Sequence, residues 1–67
     1  MNRQFLLTSI ATAEAISDSA KTPRQALTWS AEGRDWREKA GKLTDEEETE
    51  VERLREETRV KLAEAAL

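Results

Sequence analysis

Ala26, Trp29, Gly33, Trp36, Ala40 and Leu43 follow one another at alternating steps of three and four, and both tryptophans of the chain lie among them. That spacing brings every member to one side of an α-helix and is incompatible with the two-residue alternation of a strand. The stretch must therefore fold as a helix with one adhesive side, and that side needs a neighbour. Gly33 poses the local question. A glycine inside a helix costs about 1 kcal/mol relative to alanine, but the spacing runs unbroken across it, which favours one helix reaching Ala40 with Gly41 as its C-cap. Termination at Gly33 would assign the two tryptophans to different elements.

The punctuation around this stretch is explicit. Thr22-Pro23-Arg24-Gln25 reads as an N-cap, a proline whose φ is already helical at the first position, and a glutamine able to complete a capping box. A second start signal, Thr44-Asp45-Glu46-Glu47, adds acids to the first turn, where the helix dipole favours them. Before both, a helix over about 3–19 places Leu6, Ile10, Ala13, Ser17 and Ala20 on one side with Phe5 and Ile16 at its flanks. Asn2 stands ready to cap it, and Ser17-Asp18-Ser19 breaks it by offering side chains to the backbone. The predicted helices are thus about 3–19, 23–40 and 45–65. The third carries Glu50 with Arg53, Glu52 with Arg55, Glu56 with Arg59 and Glu57 with Lys61 at helical spacing, each pair worth about 0.2–0.5 kcal/mol. Its seam is Val51, Leu54, Thr58, Leu62 and Ala65, with Val60 on the opposite side.

The expected fold is all-α: a small antiparallel helical hairpin or three-helix bundle in a single domain over 1–67, completed by self-association or a partner. The last clause follows from composition. Of 67 residues 37% are hydrophobic, and ten of these are alanines, so few large side chains are left for a core. Phe5, Leu6 and Ile10 are expected to complete it. Domains of this size stand near the lower limit of independent folding, and association is one way to add burial.

Histidine, cysteine and tyrosine are absent. Acid–base work would fall to carboxylates and lysines, which need burial or charged neighbours to titrate usefully, so the chain reads as no enzyme. No metal site or cofactor is expected. The acids from Asp45 to Glu52 are nearly consecutive, lack the glycine turn of a calcium loop, and read as a solvated helix N-terminus. The apolar run near Phe5 is too short and too soon interrupted for a signal peptide, and no stretch spans a bilayer. A cytoplasmic setting, or one inside a virion or larger intracellular assembly, is expected, and the size suits a phage-type accessory protein.

Function is then expected through protein–protein contacts, regulatory, inhibitory or assembly in kind, with a protein partner, further copies of the chain, or both. The candidate partner-binding residues are Trp29, Trp36 and Leu43 from the second helix and its end, and Val51, Leu54 and Leu62 from the third; Trp gives much contact area from few residues. An alternative comes from the middle of the chain. Ala13-Glu14-Ala15-Ile16 followed by Thr22-Pro23-Arg24-Gln25-Ala26-Leu27-Thr28-Trp29 resembles the helix-turn-helix of excisionase-type and small phage regulators, with Gly33 closing the second helix. The resemblance implies Arg24, Gln25 and Thr28 in the major groove and Lys21, Arg34 and Arg37 on phosphates. The connecting segment is longer than that family's turn and has no glycine. Charge also opposes the alternative: residues 21–42 carry +3, but the C-terminal 25 residues carry −5 within a net −3, which disfavours a polyanion.

Overall fold

The computed structural model describes residues 2–66 and contains three helices, α1 (Arg3–Asp18), α2 (Pro23–Ala40) and α3 (Asp45–Ala65), joined by two four-residue connections. Each starts where its capping side chain stands. Asn2 Oδ1 accepts from the Phe5 amide at 2.7 Å, and Thr22 Oγ1 accepts from Gln25 N–H at 3.2 Å. Thr44 and Glu47 form a reciprocal capping box with both bonds present, at 3.0 and 3.1 Å. The α2 helix runs unbroken through Gly33 and stops at Gly41, whose φ of 73° is open to glycine at no steric cost.

The chain goes up, down and up. Arg3, at the start of α1, meets Glu47 at the start of α3, and Asp18, at the end of α1, meets Arg55 and Arg59 further along α3. Both α2 and α3 pack on α1, and their backbones do not pack on each other. This makes α1 the central helix. Its buried arc is accordingly wide, holding Leu6, Leu7, Ile10, Ala11, Ala13 and Ala15, where the sequence pattern indicated one side only. Ala40 and Val51 join it, with Trp36, Leu43 and Leu54 packed around. Ile10 and Val51 are the largest fully enclosed side chains. Half of the eight buried apolar residues are alanines, so the frame relies on close helix approach more than on bulky filling.

Gly33 shows how close that approach is. It is buried, and a Cβ built there would lie 3.2 Å from Glu14 Cγ and 3.8 Å from Ala13 Cβ. The stripe that marked α2 as a helix is therefore its seam against α1, with Gly33 and Ala40 buried and Ala26 and Trp36 half-buried. Phe5 departs from expectation: it is 50% exposed, because it lies on the outer edge of α1, and it meets Trp36 edge to face with ring centroids 5.6 Å apart. It borders the core and does not complete it.

Candidate partner-binding groove and the ionic frame around it

Arginines hold the three helices together. Arg37 on α2 donates from Nε to Glu14 Oε2 at 2.7 Å and from Nη1 to Glu48 on α3 at 3.1 Å. Arg55 on α3 donates to both Asp18 oxygens, at 2.6 and 2.7 Å, and reaches Glu14 at 3.4 Å. Glu14, with its side chain only 17% exposed, is thus a carboxylate of α1 shared by an arginine from each outer helix. The hydrogen bonds from Arg55, helped by its charge and that of Arg59, hold the Asp18 carboxyl below the usual carboxylate range. Glu14 reaches both arginines with its stem packed against Gly33 of α2, Cγ lying 3.2 Å from where a Cβ there would stand. Its hub position carried no signal in the sequence, since its partners lie 23 and 41 residues away.

A second clasp closes the opposite end. Arg3 binds Glu47 through Nε at 2.5 Å and Nη2 at 3.0 Å, and donates to the carbonyls of Ala40 at 2.5 Å and Lys42 at 3.3 Å. These carbonyls belong to the end of α2 and the turn after it, where helical carbonyls lack partners and attract cations. With Arg3 on one side and the Thr44 amide on the other, Glu47 is pushed down to about 2.

Because α2 and α3 do not close on each other, a groove remains where the α1–α2 connection, the start of α2 and the last turns of α3 meet. It has a volume of about 440 Å³ and is lined by Ile16, Ser19, Ala20 and Lys21, by Gln25 and Trp29 of α2, and by Leu62, Ala63 and Ala66. On the other side of Trp29 lies a shallower hollow of about 220 Å³ between α1 and α2, bounded by Phe5, Thr12, Glu32 and Trp36. Trp29, 36% exposed, is the shared wall.

The candidate partner-binding residues thus divide. Trp29 and Leu62 come together in the groove, from residues 33 apart in sequence, and Trp36 shares the smaller hollow with Trp29. Trp36 is further covered by Lys39, whose Nζ stands 4.5 Å from the ring centroid. Val51 is enclosed, and Leu43 and Leu54 pack against the core cluster, so these three face inward. Ile16, Ala20 and Ala63 also line the groove and are not among the candidate partner-binding residues; Ile16 and Ala20 left a trace in the periodicity of the first helix, Ala63 none. Of the candidate nucleic-acid residues, Lys21, Arg24, Gln25, Thr28 and Arg34 are exposed, whereas Arg37 is committed to Glu14 and Glu48. The expected close of a recognition helix at Gly33 is absent, and α2 runs seven residues further.

Among the described residues no three His, Cys, Asp or Glu side chains form a metal-holding group, and no helix is long and apolar enough to cross a membrane. No protein-family model, curated protein or solved structure matches the chain, and its functional reading rests on its own geometry.

Proposed function

We propose that this chain is a non-enzymatic helical interaction protein, a rigid three-helix frame that offers the groove between Trp29 and Leu62 to a helical segment of a protein partner. A regulatory, inhibitory or assembly role would follow from occupancy of that groove. The observation that carries the reading is the pairing of a half-exposed tryptophan with Leu62 across an apolar cleft of about 440 Å³, while the ion pairs of Glu14 and Arg3 hold the helices on either side. Clefts between helices, lined by aromatic and aliphatic side chains, receive amphipathic helices through anchors one turn apart. The duplex-binding alternative is the weaker one, because Arg37 is spent on Glu14 and Glu48 and the exposed bases of α2 alternate with Glu32, Asp35 and Glu38.

A photo-reactive side chain introduced in place of Ala63, which lines the groove, tests the reading in extract of the source cells. The expected product is an adduct heavier by a whole polypeptide, and the same adduct should be lost when Leu62→Arg is added. Labelling of small molecules alone, or an adduct indifferent to Leu62→Arg, refutes it.

A further inference from the structure

We infer that the smaller hollow, on the other side of Trp29 from the groove, is a site for a quaternary ammonium group; it is separate from the groove and independent of what fills it. The first observation is convergence. The chain has one phenylalanine, two tryptophans and no tyrosine, and all three rings, Phe5, Trp29 and Trp36, line this one hollow. Burial alone does not explain the convergence, since Phe5 is 50% and Trp29 36% exposed. Phe5 and Trp36 meet at 77°, so these rings stand as adjoining walls and not as a parallel stack. The faces of aromatic rings are negative and attract a cation within about 6 Å of the centroid.

The second observation is charge. Glu32, three residues after Trp29 and four before Trp36 on α2, is the one charged side chain among the described lining residues. It is exposed and forms no ion pair with a described residue. Rings and carboxylate thus favour the same sign of occupant. The chain's own Lys39 illustrates the attraction, its Nζ standing 4.5 Å from the Trp36 ring centroid. Lys39 does not line the hollow, however, so Glu32 is left without a cation.

The third observation is size. At about 220 Å³ the hollow falls below the roughly 300–1,000 Å³ of clefts that take drug-sized ligands, and it suits a head group or the tip of one side chain. A primary ammonium is strongly hydrated and must surrender that water against the rings. A quaternary ammonium has no N–H donor to satisfy, and it lays its methyl groups on the rings while its charge faces Glu32.

Titration of the isotope-labelled full chain with choline chloride at constant ionic strength, followed by NMR, tests this. Shifts are expected at both indole N–H signals and at the Phe5 and Glu32 amides, with a dissociation constant on the order of millimolar. The neutral analogue of choline, in which a tert-butyl group replaces trimethylammonium, should bind at least about fivefold more weakly, and ethanolamine about threefold more weakly. Glu32→Gln should weaken choline about threefold, and Glu32→Lys should abolish its binding. The Glu32 side chain is exposed and unpaired, so circular dichroism should show both variants folded. A short peptide bearing trimethyllysine that binds more tightly than choline assigns the head group to a modified side chain, and the reverse order assigns it to a small molecule. The neutral analogue binding as well as choline, shifts absent from the three rings, or indifference to both Glu32 variants overturns the inference.

Discussion

Gly33→Ala sets two effects of known size against each other at one atom. The backbone favours the change: α2 is regular through Gly33, its φ is not positive, and alanine improves a helix interior by about 1 kcal/mol. Packing opposes it, because the new methyl would lie 3.2 Å from Glu14 Cγ, a few tenths of an ångström inside the comfortable carbon–carbon separation of about 3.5–4.0 Å. The other near atom, Ala13 Cβ at 3.8 Å, is in ordinary contact and favours the methyl. The sign therefore depends on whether Glu14 can yield. Its chain is flexible, but its carboxylate is held by Arg37 at 2.7 Å and Arg55 at 3.4 Å, so part of the gain is consumed in shifting it. We expect Gly33→Ala to stabilise by about 0.5 kcal/mol, which raises Tm by about 2–4 °C in a domain of this size. In a Glu14→Ala background the obstacle is gone and the full gain of about 1 kcal/mol should appear. Urea unfolding followed by circular dichroism on the four variants measures both numbers. Destabilisation of 2 kcal/mol or more in both backgrounds would refute the reasoning, since the methyl would then be prising the helices apart.

The Arg3–Glu47 clasp predicts an acid limb. Glu47 is held at about 2 when folded against a usual 4.5, so it binds protons more readily when unfolded; its contribution is complete above about pH 4.5 and is lost as pH falls towards 2. Thermal melts across that window should fall less steeply for Glu47→Gln than for the parent, and an unchanged slope would show that the clasp is not formed in solution. The two tryptophans should separate by environment. Trp36→Ala, which removes a ring packed against Phe5 and the core cluster, should cost about 3 kcal/mol in urea unfolding, whereas Trp29→Ala, from a 36% exposed site, should cost about 1–2 kcal/mol. Single-tryptophan variants should show iodide quenching Trp29 more strongly in the monomer; equal quenching would contradict their burial.

What was legible in the sequence was whatever depends on near neighbours. Caps act over three residues, and the side chains of Asn2, Thr22 and Thr44 all accept where the spacing indicated, although the reciprocal box forms at Thr44 and Glu47 and not at Thr22 and Gln25. Within α3, Glu50–Arg53 and Glu56–Arg59 form as spaced, but Arg55 leaves Glu52 for Asp18 and Glu14, and Glu57 takes Arg53, not Lys61. Arg55 lies between helices, within reach of Glu14 and Asp18, whose side chains are 17% and 26% exposed, and charges partly withdrawn from water attract more strongly. Periodicity likewise showed that α2 has an adhesive side but not what adheres to it. That depends on α1 being central, which no window of α1 alone reveals, since a helix flanked by two neighbours buries a wider arc than a single stripe.

The course of α2 through Gly33 then decides which surfaces of the two tryptophans stay open. Had α2 ended there, the tryptophans would have belonged to separate elements and their stripe would have been split. Because α2 continues, the stripe is used against α1 along its whole length, from Ser17 bonded to the Ala26 carbonyl to Arg3 bonded to that of Ala40, and only the outer edges of its large rings remain accessible. The groove beside Trp29 arises where a second helix supplies the missing wall. The last turns of α3 supply it to Trp29 through Leu62 and Ala63, whereas Trp36 is already covered by Phe5 and Lys39. Of two tryptophans equivalent in the sequence pattern, the fold leaves Trp29 the more open, as the wall shared by both hollows.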